Sequence, residues 1–354
     1  MRRMKLFSKV TIYLLFLSLL SVFLSCENDK DNDNEMNLEG IYIVNEGQFG
    51  NNNGSISLLD PETYAVSNNY FQQQNDKRSL GDIVQGLSFS SDKGFIVVNN
   101  SQKMEIVDKE TFETIDVIEN LSYPRQFLPV NDEKGYLTDG SSADGNNGHI
   151  LVIDLESYEI SDSIEVGKGP ESMLHLDDKM FVTNAGGYLI GNTVSIINVN
   201  TDEVEENIEV HDVPTDIIAD KNNDIWVYCK GDYQTGDEGE LVKISNDDYT
   251  TQSFPIGNIA SYGNYLLAID SDKESFYYVG SAGIYNMNID ESEAPGEPVI
   301  EELPYGLDVN PANGDIYCLT SDSESKGNAL KYNQEYELVD SIQVGYGPNA
   351  VVFE

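Results

Sequence analysis

Cysteine, histidine, tryptophan and basic residues are all scarce in this 354-residue sequence. It contains three cysteines, three histidines and one tryptophan. Cys229 and Cys318 lie in separate strand-like runs, and there is no CxxC pair, so the pattern indicates buried free thiols and neither a disulfide framework nor a metal site. Twenty Lys and Arg stand against 62 Asp and Glu, a formal net charge of −42. Such a charge disfavours nucleic acid, heparin-like polymers and anionic lipid surfaces as partners.

Sequence signatures of catalysis are also missing. His149, His175 and His211 lie far apart in the sequence without metal-ligand spacing. The sequence has no GxSxG, HExxH, P-loop or dinucleotide-binding motif. Because carboxylates are so abundant, a close pair of them would be weak evidence for glycosidase chemistry. We therefore expect a protein that is not an enzyme and that carries no cofactor.

The N-terminus has the form of a bacterial lipoprotein signal. Basic residues precede an apolar run over 10–24 that is short for a membrane span. Ser25-Cys26 follows and resembles a lipobox, which predicts a signal peptide over 1–25 and lipidation of Cys26; the alternative is a plain secretory signal with an incidental cysteine. Residues 26–38 are acidic and polar, which predicts a flexible tether. An acidic run just after a lipidated cysteine also resembles the export signal of Bacteroidota surface lipoproteins, and this resemblance implies a location on the outer membrane at the cell surface.

The remaining sequence, residues 39–354, contains a repeat of about 45 residues. Each copy contains an apolar strand ending in a polar residue, followed by a turn, as in Ile153-Asp154 before Leu-Glu-Ser-Tyr. The strands end near seven positions: 60, 108, 154, 198, 245, 290 and 333. Short β-rich runs at this period are typical of propeller blades. The sequence therefore predicts an all-β, seven-bladed β-propeller with four strands per blade.

The two ends of the repeat region predict how the ring closes. The first copy begins at Ile41 with a second-strand pattern, so its inner strand is missing. Residues 346–353 have the pattern of an inner strand, which often follows a proline, here Pro348. We expect this C-terminal strand to complete blade 1, because closure removes open sheet edges. An array of β-sandwiches, the alternative, does not predict a leftover inner strand.

One face of the propeller is predicted to bind a ligand. Long loops rich in Gly and Asn join the second and third strands, and tyrosines occur in the loops that lead into the inner strands. Loops longer than a turn requires often carry binding residues, and tyrosine combines apolar area with a hydroxyl group. The predicted ligand-binding residues are Asn45, Glu46, Phe49, Asn100, Tyr123, Arg125, Asp139, Asn184, Tyr188, Lys230, Tyr233, Tyr262, Tyr305 and Tyr346.

Two of these predictions have structural alternatives. Tyr262-Gly, Tyr305-Gly and Tyr346-Gly are 43 and 41 residues apart, so we expect them at equivalent places in successive blades. They either contribute to a binding site or pack each blade on the next. Arg125 either holds an anionic or carbonyl group of a ligand or forms a salt bridge with a neighbouring carboxylate.

Several stretches of the chain resemble a known family over essentially the whole of 39–354. The sequence is similar to Bacteroidota surface lipoproteins of the YncE-like (YVTN-type) propeller group with the DUF5074 domain. The resemblance lies in residues 41–50, 53–57, 80–82, 97–101 and 123–125. That group includes BtuG-type proteins, which bind cobalamin at the cell surface and hand it to a TonB-dependent transporter. The resemblance implies a propeller fold and a surface location, with cobalamin or another corrinoid as the candidate ligand.

Three functions remain open from the sequence. The first is capture of a small ligand, best represented by a corrinoid, for a TonB-dependent outer-membrane transporter. The second is a protein-interaction platform without a small ligand of its own. The third is a glycan-binding or glycan-cleaving propeller, which two carboxylates in a deep cleft would favour.

Overall fold

Seven antiparallel sheets form the blades of a β-propeller in the computed structural model, which describes residues 39–140, 148–187, 189–263, 265–322 and 324–354. Each inner strand contacts the inner strands of the blades before and after it, so the ring is closed. The predicted seven-bladed fold is confirmed. The predicted signal peptide, Cys26 and the tether over 26–38 lie outside the described residues.

The strands have the same order in each blade, from the axis outwards. The inner strands of blades 1 to 7 are β27 (Pro348–Phe353), β4 (Val84–Ser90), β8 (Pro124–Pro129), β12 (Pro170–Leu176), β16 (Pro214–Ala219), β20 (Leu267–Ile269) and β23 (Gly306–Val309). The second strands are β1 (Ile41–Asn45), β5 (Lys93–Val98), β9 (Lys134–Asp139), β13 (Lys179–Asn184), β17 (Ile225–Cys229), β21 (Ser275–Val279) and β24 (Ile316–Thr320).

The two outer positions complete the blades. The third strands are β2 (Ser55–Leu59), β6 (Lys103–Asp108), β10 (His149–Asp154), β14 (Thr193–Asn198), β18 (Gly239–Ile244), β22 (Ile284–Asn288) and β25 (Asn328–Tyr332). The fourth strands, present in six blades, are β3 (Val66–Ser67), β7 (Thr114–Glu119), β11 (Ile160–Glu165), β15 (Glu203–Glu209), β19 (Thr251–Gly257) and β26 (Leu338–Gln343). In blade 6 a single bridge between Ile284 and Ile300 takes the fourth position.

Burial explains why these residues form these strands. Second strands lie between neighbouring blades, and β1 is buried along its whole length. Fourth strands line the rim, and β11 buries only Ile164. A strand covered on both faces needs a continuous apolar run, whereas a rim strand needs only one apolar anchor. The pair Cys229 and Cys318 follows the same rule: both thiols are buried and free, in blades 5 and 7.

The described residues contain one helix, α1 (Tyr70–Gln74), which connects blades 1 and 2 and buries Phe71. None of the helical structure in this part of the chain is long and apolar enough to cross a membrane.

The C-terminal strand closes the ring as predicted. β27 pairs antiparallel with β1, and Ile41 lies opposite Phe353. Beyond the strands, the amide of Gly40 donates to the carbonyl of Glu354 (2.9 Å), and the amide of Glu354 donates back to Gly40 (3.0 Å). Lys109 of blade 2 forms ion pairs with both Glu39 and Glu354. Blade 1 is therefore built from both ends of the propeller sequence.

A recurring turn residue fastens six of the blades to the preceding one. In six turns between the third and fourth strands, one non-glycine residue adopts a positive φ of 56 to 64°. These clasp residues are Tyr64, Phe112, Tyr158, Asp202, Tyr249 and Tyr336. Tyr64 of blade 1, for example, accepts a hydrogen bond from Lys331 of blade 7 (2.7 Å), and Phe112 of blade 2 stacks on Tyr42 of blade 1. The backbone strain of these positive φ angles is offset by the contacts that the clasp residues make with the preceding blade.

Among the described residues, blade 6 has neither a fourth strand nor a clasp toward blade 5, and a different set of contacts joins these two blades. Trp226 of blade 5 packs on Phe276 of blade 6 at a ring-centroid distance of 4.7 Å. The carboxylate of Asp216 accepts the backbone amides of Leu266 (2.9 Å) and Leu267 (3.0 Å). Aromatic packing and a buried carboxylate thus replace the clasp.

Phe112→Ala is expected to lower the free energy of unfolding by about 3–5 kcal/mol, the usual cost of deleting a fully buried phenyl ring. The ring is buried and lies 5.0 Å from Tyr70 and 5.7 Å from Tyr42, so its loss opens a cavity between blades 1 and 2. Urea unfolding followed by fluorescence of the single tryptophan measures the change. Phe112→Leu, which retains most of the apolar volume, should cost clearly less; equal losses for both variants would contradict the cavity argument.

Candidate functional site

A β-bulge near the start of the inner strand sets the geometry of the candidate site. In blades 1 to 5 the pairing of inner and second strands shifts just after the first inner-strand residue, for example between Pro214 and Asp216. A bulge leaves a residue out of the ladder and re-aims its side chain. These bulges lie at the top face, which carries the long loops between second and third strands.

Every blade has one residue at the top end of its inner strand that corresponds to this position, and together these seven residues form what we call the mouth ring. Each member lies two residues before a buried apolar residue of the inner strand, such as Phe127 or Leu307. The mouth ring consists of Asn349, Gln85, Arg125, Glu171, Thr215, Tyr265 and Tyr305, in blade order. Its members are amides, hydroxyls and one ion pair, so the axial entrance is polar.

Glu46, in the loop after β1, organises one side of the mouth ring. Its carboxylate accepts hydrogen bonds from Tyr305 Oη (2.8 Å), Gln85 Nε2 (3.1 Å) and Asn349 Nδ2 (3.2 Å). Burial raises the pKa of Glu46, and the hydrogen bonds oppose that shift. The three donors belong to blades 7, 2 and 1, so this carboxylate ties together the blades at the closure of the ring.

Arg125 and Glu171 form an ion pair on another side of the mouth ring. Arg125 Nε lies 2.8 Å from Glu171 Oε1, and a second nitrogen, Nη2, contacts the same carboxylate. The guanidinium also lies 5.6 Å from the ring centroid of Tyr123. Burial opposes the charge of Arg125, but the carboxylate more than offsets it, so the pKa of Arg125 is raised. The alternative in which Arg125 forms a salt bridge is therefore confirmed.

Tyr265 closes the top of the axial channel. Its hydroxyl donates to the carbonyl of Gln85 (3.2 Å) and so reaches from blade 6 to blade 2. Below it is a cavity of about 230 Å³ whose polar lining includes Ser88, Gln126, Asp216 and Asp308. Burial raises the pKa of both Asp216 and Asp308 to about 7.

A second, larger depression lies on the top face between blades 4, 5 and 6, and we call it the rim cleft. Its volume is about 520 Å³, within the usual range for small-molecule sites. Its lining is mainly apolar and aromatic, with Leu189, Ile190, Val213, Tyr233, Ile259 and Tyr262. Tyr233 is 86% exposed and Tyr262 is 90% exposed. Lys230, which follows β17, also lines the rim cleft.

The predicted ligand-binding residues occupy three different environments. Lys230, Tyr233 and Tyr262 line the rim cleft. Glu46, Arg125 and Tyr305 belong to the mouth ring or its hydrogen bonds, and Tyr123 contacts Arg125. The others are placed elsewhere: Phe49 and Asn100 are exposed, Tyr346 is partly buried, Asn45, Asp139 and Asn184 are buried, and Tyr188 lies outside the described residues.

The three buried side chains position loops. Asn45 Oδ1 accepts the amide of Gly345 (2.9 Å), and Asn184 Nδ2 donates to Thr193 and Ser195. Asp139 accepts the amides of Ser122 (2.9 Å) and Tyr123 (2.7 Å), which shapes the entry to β8. Each of these three side chains therefore has at least one internal hydrogen-bond partner.

The predicted equivalence of the three Tyr-Gly pairs is wrong. Gly306 pairs with Leu319 in blade 7 as Ala350 pairs with Val44 in blade 1, so Tyr305 corresponds to Asn349. Tyr346 lies three residues before Asn349, and Tyr262 lies three residues before Tyr265. Tyr262 and Tyr346 are thus equivalent, whereas Tyr305 is a mouth-ring residue; loops of unequal length produced the misleading spacing.

Several site residues escaped the prediction. Glu171, Thr215 and Asn349 each directly follow a proline that begins an inner strand, so the recurring Pro-X pair was a signal for the mouth ring. The apolar walls of the rim cleft had no such signal. Leu189 and Ile190 come from the loop between β13 and β14 and Ile259 from the loop before β20, and only folding brings the two loops together.

Comparison with known proteins identifies the family. Residues 39–354 match the model of DUF5074, a domain of unknown function, and the chain belongs to that family. A quinonprotein alcohol dehydrogenase-like protein from Bacteroides thetaiotaomicron is similar in structure, with 16% identity and a TM-score of 0.65 over 89% of this chain and 78% of that one. Hydrazine synthase from Kuenenia stuttgartiensis has 15% identity and a TM-score of 0.62 over 80% and 90% of the two chains. At such identities the likeness shows the fold alone. A comparison with curated proteins gives no match.

Asp308→Asn is expected to stabilise the protein at pH 8 and to change its stability little at pH 4. In the folded protein the pKa of Asp308 is raised to about 7 from an ordinary value of 3.8. Between these values the folded state holds a proton that the unfolded chain releases, so the contribution of this group to stability falls as pH rises from about 4 to about 7. Urea unfolding at both pH values measures the difference.

Asp216→Asn is the matched control for Asp308→Asn. The Asp216 carboxylate accepts three backbone amides, those of Ile217, Leu266 and Leu267, whereas Asp308 accepts the amide of Val309. The two carboxylate oxygens of Asp216 both accept backbone amides, but an asparagine side chain has only one acceptor oxygen. At least one backbone amide would therefore lose its hydrogen bond, and this variant should be destabilised at both pH values. If Asp308→Asn loses stability at pH 8 as Asp216→Asn does, burial of a charge is not the governing effect.

Proposed function

We propose that this DUF5074 propeller binds a small ligand in the rim cleft without transforming it chemically, and that the ligand is a corrinoid such as cobalamin. The protein would be anchored to the outer membrane through Cys26, exposed at the cell surface, and would pass its ligand to a TonB-dependent transporter. The observation that carries the proposal is the pair of nearly fully exposed tyrosines, Tyr233 and Tyr262, on the wall of an apolar cleft.

Exposed apolar surface of this kind has a cost that a ligand would remove. Leu189 and Ile190 are 40% and 41% exposed beside the two tyrosines. Burial of apolar surface contributes roughly 25 cal/mol per Å². A contiguous exposed apolar patch rimmed by polar residues commonly marks a binding site. Four of the eleven large apolar side chains that are exposed among the described residues line the rim cleft, so exposed apolar surface is concentrated there.

The mouth ring supports a broad ligand with amide groups at its edge. Lys230 lines the rim cleft, and its charge interacts with Arg125 and Glu171 of the mouth ring, so the two features adjoin. A corrinoid is a wide disc fringed with amides. Its apolar parts would pack against the tyrosines of the rim cleft. Its amides would meet the partly exposed members of the mouth ring, which are Arg125, Glu171, Tyr265 and Tyr305. The resemblance to BtuG-type proteins supports the same ligand.

A protein-interaction platform is the second candidate, and one observation favours it. Phe49 is 78% exposed in the long loop of blade 1 and does not line the rim cleft. Such a side chain is suited to a protein partner. The glycan-cleaving alternative has less support, because Asp232 is the one carboxylate among the described residues that line the rim cleft.

Calorimetric titration of residues 39–354 with cyanocobalamin and with cobinamide tests the corrinoid proposal. One-to-one binding is expected, and the double variant Tyr233→Ala, Tyr262→Ala should weaken it at least tenfold, because the apolar wall is lost. Phe49→Ala is the matched control: it removes an equally exposed aromatic residue from the same face and should leave the affinity unchanged.

Two results would count against the proposal. No heat at protein concentrations of tens of micromolar would exclude corrinoids as ligands, and pull-down from the outer membrane would then test the platform. Loss of binding in Phe49→Ala, with full affinity in the double variant, would move the site away from the rim cleft.

A further inference from the structure

Lys230 is a cation at an unusual place in a strongly acidic protein. Among the described lining residues of the rim cleft it is the one Lys or Arg. Its backbone amide donates to the carbonyl of Val213 (3.0 Å), and its Nζ donates to the carbonyl of Gly263 (2.5 Å). These bonds connect the end of β17 to the loops before β16 and β20. The ammonium group is thereby held between the apolar cleft and the mouth ring.

The carboxylates around this ammonium have other partners as well. Glu171 pairs with Arg125, Glu46 accepts three side-chain hydrogen bonds, and Asp216 accepts backbone amides. Burial lowers the pKa of Lys230 to about 8, with Arg125 adding to that shift and Glu171, Asp216 and Glu46 opposing it. A partly desolvated ammonium gains most from a further acceptor that enters the same low-dielectric site.

The position of Lys230 therefore adds a polar requirement to an apolar cleft. A purely apolar ligand would cover the ammonium and remove water from it without replacing its hydrogen bonds, which is unfavourable. A cationic ligand would be repelled at short range. A ligand with an apolar body and one anionic group would satisfy both the aromatic wall and the ammonium, because charge-assisted hydrogen bonds are stronger than neutral ones.

We propose that the rim cleft selects amphipathic ligands with an anionic group, such as a phosphate, sulfonate or carboxylate, and that Lys230 binds this group while Tyr233 and Tyr262 pack on the apolar body. The inference rests on the rim cleft being the binding site proposed above, and it names the class of ligand independently of corrinoids. Lys230 is thus the residue that determines specificity for charge, and the tyrosines contribute affinity.

Two dyes that differ in their anionic group test the inference with the purified protein. 8-Anilinonaphthalene-1-sulfonate carries a sulfonate, and N-phenyl-1-naphthylamine has the same aromatic body without it. Lys230→Met should weaken binding of the sulfonate dye at least tenfold and change that of the neutral dye less than twofold. Tyr262→Ala should weaken the binding of both dyes, and Lys230→Arg should retain the preference for the sulfonate dye. Dye fluorescence gives the affinities, and thermal unfolding shows that each variant is folded.

A pH series on the parent protein supplies a readout that does not depend on any variant folding. The sulfonate stays charged from pH 6 to 10, whereas Lys230 loses its proton as pH rises through about 8. Affinity for the sulfonate dye should therefore fall over this range, while that for the neutral dye stays level. Lys230→Met, which retains Glu171, Arg125, Asp216 and Glu46, should lose the part of the fall near pH 8 and keep only a part near pH 7, where Asp216 ionises.

The outcomes separate this inference from the corrinoid proposal. If Lys230→Met lowered the affinity for both dyes equally, or for neither dye, the role of Lys230 would be overturned. Absence of dye binding alongside tight cobalamin binding would overturn the ligand class and leave the corrinoid proposal intact. Discrimination between the dyes without any corrinoid binding would support the ligand class and exclude corrinoids.

Discussion

Pairing of β27 with β1 is the interaction on which the rest of the structure depends. Six of the blades are continuous in sequence, but blade 1 exists only when the last strand lies beside the first. Because every blade packs against two neighbours, an open ring would leave two large apolar faces and two strand edges in water. The clasp residues add contacts at six of the seven interfaces between blades, and Tyr64 reaches across the closure to Lys331.

Closure also determines the chemistry of the top face. Inner strands that converge on an axis bring the residues at their top ends within reach of one another, so seven positions far apart in sequence become a single ring. Glu46 joins members from blades 7, 1 and 2, which are the blades at the closure. The polar entrance is therefore a consequence of the same pairing that stabilises the fold, and Tyr265 extends across it to the opposite side.

The least regular part of the ring adjoins the rim cleft. In the part of the chain that the structure describes, blade 6 has no fourth strand and no clasp. Its interface with blade 5 relies on Trp226, Phe276 and the buried carboxylate of Asp216. A regular repeat gives equivalent loops, whereas a cleft on one side of the face needs unequal ones. The long loops of blades 4 and 5 and the altered blade 6 provide this inequality, and they place Lys230 at the junction of the apolar cleft and the polar mouth ring.

The sequence by itself determined the architecture: the number of blades, the order of strands, the closing strand and the two isolated thiols. These follow from local signals, namely apolar runs of strand length and turn residues at a steady period, which neighbouring blades reinforce. The sequence also predicted Lys230, Tyr233 and Tyr262 as binding residues, because long loops and their aromatic residues can be read from the sequence, and the structure places all three along the rim cleft. Tertiary structure alone decided that Asn45, Asp139 and Asn184 are buried, that Tyr305 belongs to the mouth ring, and that Leu189 and Ile259 share a wall. These positions depend on the bulges and on loops of unequal length that converge around the propeller axis. The spacing of residues along the chain does not show where such loops come together.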